Sequence, residues 1–102
     1  MSQPTIAPEF CAMQLKILAD TTRLKILEAL MDSPRHVNEI NHQLKIEQSL
    51  LSHHLKVLRE VGLVESQRDG KAVLYSLSAT IKPLPSGNAI DLGCCQLCFG
   101  DC

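Results

Sequence analysis

The stretch that decides the fold runs from Gln48 to Leu77: QSLLSHHLKVLREVGLVESQRDGKAVLYSL. Its first half has helical periodicity. Leu51, Leu55 and Leu58 form one apolar stripe, and Leu50, Val57 and Val61 form the stripe beside it. The opposite face carries Ser49, Ser52, His53, Lys56 and Arg59, short hydroxyls followed by bases. Gly62 stands where a helix C-terminus favours a left-handed residue. The second half alternates. Leu63–Gln67 and Ala72–Leu77 read as strands joined by Arg68-Asp69-Gly70-Lys71, and Asp-Gly between extended runs is a strong hairpin signal.

Upstream, EFCAMQLKILA (9–19) has helical spacing with a wide apolar face. Asp20 offers an N-cap to a second helix, TTRLKILEALM, which Asp32-Ser33-Pro34 breaks. A short helix follows around Val37, Ile40 and Leu44, and Lys45-Ile46-Glu47 turns the chain into the helix of 48–61. A short helix, a turn, a longer helix and a hairpin form the plan of a winged helix-turn-helix, mainly α with a β-hairpin. In that plan the N-terminal part of the 48–61 helix enters the major groove. Gln48 can reach an adenine edge, and the small Ser49 and Ser52 allow close approach beside His53. Lys56 and Arg59 can clamp phosphates. Arg68 and Lys71 at the hairpin tip can touch the adjacent backbone or minor groove. An amphipathic helix alone reads first as a solvated face of a three-helix core, since polar outer faces are universal; the hairpin placed directly after it shifts the balance to DNA.

Composition narrows the classes further. The chain has 102 residues, 45% hydrophobic and 21% charged, which suits one small globular domain. The net charge is −1, so any nucleic-acid face must be a local patch. Phe10, Tyr75 and Phe99 are the only aromatics, a poor endowment for stacking single-stranded bases. No apolar run approaches a membrane span, and MSQPTIAPEF lacks the pattern of a signal peptide, so a cytoplasmic protein is expected. A small aliphatic core also suits a dimer.

Three segments resemble the ArsR/SmtB family of metal-sensing repressors. Leu18-Ala19-Asp20-Thr21-Thr22-Arg23-Leu24-Lys25-Ile26-Leu27 looks like the family's signature before its helix-turn-helix. Gln48 through Val64 looks like its recognition helix and entry to the wing, and Arg68 through Leu77 like the wing with its tyrosine, Tyr75. The likeness runs from about residue 10 to 78; Thr21 departs from it, where the family often has proline. The resemblance implies a homodimer that represses transcription at an inverted repeat in double-stranded DNA and lets go when a metal or metalloid binds. It implies a dimer interface of the first helix and a C-terminal helix. Phe10–Leu18 can supply the first, while Pro83 and Pro85 interrupt the second. Residues 1–80 would then be the DNA-binding and dimerisation domain, and 81–102 a sensor tail.

The sensor is sought in the cysteines. Cys94, Cys95, Cys98 and Cys102 crowd the C-terminus, and Cys11 stands alone. An odd count in a cytosolic setting favours a metal or redox site over a disulfide framework. The family's Cys-x-Cys site would fall in His36–Leu44, which has no cysteine, and its Asp/His zinc site needs histidines beyond His54, where there are none. If the tail is helical, Cys95, Cys98 and Cys102 share a face, as do Cys94 and Cys98. Thiolates select soft ions. Three of them suit the pyramidal arsenite or antimonite that the resemblance implies as inducer, and four suit zinc or cadmium. Thiol oxidation is the alternative signal. Cys11 lies on the Leu15–Leu18 face and reads first as core, second as a ligand from the partner subunit. His53 faces the wet side, His54 packs, and His36 and His42 are surface or capping residues. A thiol reductase is the competing class, and no enzyme is expected: Cys95-x-x-Cys98 lacks the βαβ unit such enzymes need.

Overall fold

The computed structural model describes residues 7–85 and 87–100. Four helices come first: α1 (Pro8–Leu18), α2 (Thr21–Leu30), α3 (Val37–Leu44) and α4 (Gln48–Glu60). A short strand, β1 (Arg35–His36), precedes α3. The wing is β2 (Val64–Asp69) and β3 (Ala72–Leu77), joined at Gly70-Lys71, with β1 paired to the other edge of β3. Gly70 has φ 64°, which the tight turn between paired Asp69 and Ala72 demands and glycine supplies without strain. The fold is thus a winged helix-turn-helix, and the periodicities of 21–77 are realised nearly residue for residue.

Local chemistry explains the helix ends. The Asp20 carboxylate accepts the Arg23 N–H at 3.0 Å and starts α2. Arg23 then ties three elements together: its guanidinium donates to the Ile17 carbonyl at the end of α1 and to His54 Nδ1 on α4, both at 3.0 Å. Between α3 and α4, Lys45 adopts a left-handed conformation (φ 52°), and the Asn41 amide donates to the Ile46 carbonyl to hold the turn. The core joins Ile26, Leu27 and Leu30 of α2, Ile40 of α3, Leu51, Leu55 and Leu58 of α4, and Leu63 and Val64 entering the wing.

The chain after the wing, whose conformation the sequence leaves open, is not the helix on which the cysteine spacing was weighed. It forms a second sheet, β4 (Lys82–Pro83), β5 (Ala89–Asp91) and β6 (Gln96–Cys98), in the order β4-β5-β6, rather than a helical tail. Ile81, Ile90 and Leu92 join the same core cluster as the helices. The reason is pairing: strands of two and three residues carry no periodicity of their own and exist because a neighbour satisfies their backbone.

Helix α1 is turned against its own pattern. Phe10, Met13 and Leu15 are 41%, 44% and 48% exposed, whereas Gln14 is buried and its Oε1 has no hydrogen-bond partner among the described residues. Much of the wide apolar face, read from sequence as one half of a dimer interface, is therefore outside.

Candidate DNA interface and thiol site

The N-terminus of α4 is held by Glu47, whose carboxylate accepts the backbone N–H groups of Ser49 and Leu50, each at 3.1 Å, and also the Ser49 hydroxyl. These bonds hold the Glu47 carboxyl below its usual range, the Ser49 hydroxyl contributing most. Glu47 was read only as part of a turn; an acidic residue just before a helical run is the signal that identifies it. Gln48, Ser49, Ser52, His53, Lys56 and Arg59 are all exposed on α4, as their periodicity requires. Arg59 also reaches Ser66 of β2 at 3.4 Å, at the base of the wing. Leu50 departs from its expected packing stripe and is 45% exposed beside Ser49. An apolar side chain there suits a thymine methyl.

His54 is buried. Because Arg23 donates to its Nδ1, the ring is held as a neutral acceptor, and desolvation pushes its pKa down. It is a packing and latch residue, while His53 faces solvent.

The recognition helix and the wing meet in an open groove. It is lined by Gln48 and Ser52 of α4, Lys71 and Tyr75 of the wing, and His36 and Asn38 at the start of α3. Three residues chosen from sequence for DNA contact, Gln48, Ser52 and Lys71, therefore share one concave surface. Arg68 is exposed on the outer strand of the wing. The participation of His36 was missed. Its ring approaches Glu39 Oε1 through Nδ1 and Asp69 Oδ2 through Nε2, both at 2.8 Å.

The cysteines are arranged otherwise than helical spacing suggests. Cys94 and Cys95 lie in the turn between β5 and β6, closed by the Leu92 N–H donating to the Cys95 carbonyl at 2.8 Å. Cys94 is bonded to Cys11 of α1 in a disulfide with 5.5 Å between the Cα atoms. Cys98, at the end of β6, is also disulfide-bonded, and Cys95 is a half-buried free thiol. Cys102 lies outside the described residues. Cys11, read first as a core side chain, is thus a tail partner, brought there by tertiary packing across 83 residues. Among the described residues no three Cys, His, Asp or Glu side chains converge as a metal site. Disulfide sulfurs are not thiolate donors, so a soft-ion site from these residues requires the reduced chain. Reduction would leave the thiols of Cys11 and Cys94 as neighbours at the turn between β5 and β6.

The family model for "Bacterial regulatory protein, arsR family" matches residues 20–66, from the cap of α2 into the wing. The "Probable mercury resistance operon repressor" of Streptomyces lividans is 34% identical over 106 residues, covering 96% of this chain and 85% of that protein. "Transcriptional activator HlyU" of Vibrio cholerae is 42% identical over 66 residues, covering 65% of this chain and 61% of its own length. Against HlyU, then, the likeness spans about three fifths of the relative. Among solved structures, Rv0081 of Mycobacterium tuberculosis superposes with a TM-score of 0.67 at 38% identity, covering 74% of this chain and 78% of that one. Among the described residues no helix is long and apolar enough to cross a membrane.

Proposed function

Since the chain belongs to the arsR family of bacterial regulatory proteins, we propose that it is a cytoplasmic, homodimeric transcriptional repressor that reads an inverted repeat in duplex DNA and is released by arsenite or antimonite at its cysteines. The observation that carries the DNA-reading part is the groove uniting Gln48, Ser52 and Lys71 beneath an exposed polar face of α4. In this reading Gln48, Ser49, Ser52 and His53 meet base edges, with Leu50 against a thymine methyl. Lys56, Arg59, Arg68 and Lys71 hold phosphates and contribute most of the salt dependence. The exposed Phe10, Met13 and Leu15 of α1 supply the dimer face, since an apolar helix surface of this kind is best buried against a second copy. The reductase alternative falls: the relatives are DNA-binding regulators, and no βαβ unit occurs among the described residues.

The inducer reading rests on thiol density. Cys94, Cys95, Cys98 and Cys102, with Cys11 now added, are the candidate ligands, and zinc or cadmium are the other soft ions they could serve. The Cys11–Cys94 disulfide favours a second reading, in which oxidation of this pair is itself the signal. A mobility-shift assay on the reduced full chain separates the two. Arsenite or antimonite should release a duplex that the wild type selects from a random pool, and Cys94→Ser should repress without responding. If arsenite has no effect and only oxidation releases the duplex, the second reading replaces the first. If the reduced chain selects no duplex, the DNA-reading proposal fails.

A further inference from the structure

The contacts of His36 are not explained by helix capping alone. It precedes α3, and its own backbone N–H donates to Glu39 Oε1 at 2.9 Å, which is enough to start the helix. Its ring does something else. Nδ1 faces the Glu39 carboxylate and Nε2 faces the carboxylate of Asp69, 33 residues away at the tip of the wing. We propose that His36 is a positioning residue that clasps the wing to the helix-turn-helix, fixing the groove in which Gln48, Ser52 and Lys71 meet DNA. The inference rests on the DNA-reading proposal above and adds the device that aims the wing.

Donor arithmetic determines when the clasp is closed. Ionised carboxylates only accept, so two of them on opposite ring nitrogens require both nitrogens to donate, and only the imidazolium does so. The neutral ring keeps one bond and releases the other carboxylate. Other charged groups nearby are few. Arg35, the neighbouring β1 residue, has its guanidinium Nε bonded to the Ala29 carbonyl at the end of α2. Lys71 lines the same groove from the wing, and α4 contributes only the neutral Gln48 and Ser52. Strand β1 pairs Arg35 with Tyr75 and His36 with Leu74 in the middle of β3, so the wing stays attached up to that point whatever the ring does. The clasp therefore governs the tip, which carries Arg68 and Lys71. Consistently, Asp69 and then Glu39 raise the pKa of His36. Approaching phosphates would favour the imidazolium further, so DNA binding and protonation should assist each other.

The test is fluorescence anisotropy on the full chain, with a duplex that the wild type selects from a random-sequence pool, between about pH 6 and pH 8, the span in which histidine titrates. Wild-type affinity should fall about threefold more across that span than the affinity of His36→Gln, the scale of one partly exposed ion pair. Every group other than residue 36 is common to the two proteins, so the comparison isolates His36. Asp69→Asn supplies a test of sign. Removing an acid next to Arg68 and Lys71 should tighten binding if charge alone matters; loss of the clasp should weaken it by about the same threefold. Urea midpoints measured alongside show that both variants are folded, and the exposure of Asp69 at the end of β2 makes unfolding of that variant the less expected outcome. Tighter binding by Asp69→Asn, or a pH profile of His36→Gln that matches the wild type, overturns the clasp and leaves the DNA-reading proposal standing. A wild type that binds no duplex overturns both.

Discussion

The helix-turn-helix body and the C-terminal sheet reach the same core by different routes. In the body, order is written in neighbours. Asp20 caps a helix through Arg23, Glu47 caps another through Ser49 and Leu50, and the leucines of α4 recur at helical spacing. In the C-terminal sheet, no strand exceeds three residues, and these short local pairings are anchored by contacts with the distant helices. Ile90 is fully buried there, and Cys94 is bonded to a helix 83 residues earlier. The first region can form its elements before it packs; the second needs the packed body as a template. For the inducer role proposed above, a segment built the second way is well placed to report on chemistry at its cysteines, because tertiary contacts and a disulfide anchor its short strands.

The largest expected effect bears directly on that contrast. Leu58→Ala in α4 should cost about 2–5 kcal/mol of unfolding free energy, as a fully buried leucine does. Ile90→Ala in β5 should cost a comparable amount, since its burial is equally complete. Urea unfolding measures both. A loss at Ile90 below about 0.5 kcal/mol would make the C-terminal sheet an appendage rather than a part of the core.

Next comes the covalent link. Reducing the Cys11–Cys94 disulfide, or replacing Cys11 with Ser, should lower stability by about 2–4 kcal/mol, because the bridge closes a long loop in the unfolded chain. Backbone hydrogen exchange should then rise in residues 89–98 and change little in α4. Uniform acceleration across both regions would erase the distinction between them.

A smaller effect tests the local character of the body. Asp20→Ala should cost about 1 kcal/mol by removing the α2 cap. The Arg23 N–H bond also holds the Asp20 carboxyl low, so this contribution is present above the usual aspartate range and is lost as acid titrates it.

The smallest effect is a pH dependence with two signs. The folded-state pKa of His36 is raised above 6.5, so its contribution is complete below 6.5 and fades as pH rises through the folded value. The pKa of His54 is lowered, chiefly by burial, so its contribution is complete above 6.5 and fades as pH falls toward the folded value. Histidine-linked stability should peak near pH 6.5. His36→Gln should flatten the alkaline side of the urea-midpoint profile and leave the acid side unchanged. Loss of the acid side in that variant would mean the two histidines are coupled.

The pattern of what was legible follows the same division. The α4 face could be read because helical periodicity puts Ser52, Lys56 and Arg59 on one side whatever surrounds them. Leu50 could not, since its stripe sits at the helix edge and exposure there depends on what α3 and the wing leave uncovered. The groove was only half legible. Gln48, Ser52 and Lys71 were identifiable by type, whereas His36 enters through β1, a strand of two residues that exists only by pairing with β3. Gln14 and Phe10 show the same limit in α1: periodicity gives two faces and does not say which one the core takes. The crowding of the tail cysteines was legible, but the disulfides were not: an odd count argued against them, and the partner of Cys94 is Cys11, 83 residues away.

By itself, then, the sequence determined the four helices, the wing and the polar face of the recognition helix, because caps, helical spacing and an Asp-Gly turn act within a few residues. Only the tertiary structure decided the outward turn of α1, the His36 bridge to Asp69, the C-terminal sheet and the partner of Cys94. The His36 bridge, the Cys11–Cys94 bond and the docking of Ile90 on the helical core each join residues tens of positions apart. Such contacts pay their loop-closure entropy only once the body has folded, and no local pattern encodes which distant side chain will be there to meet them.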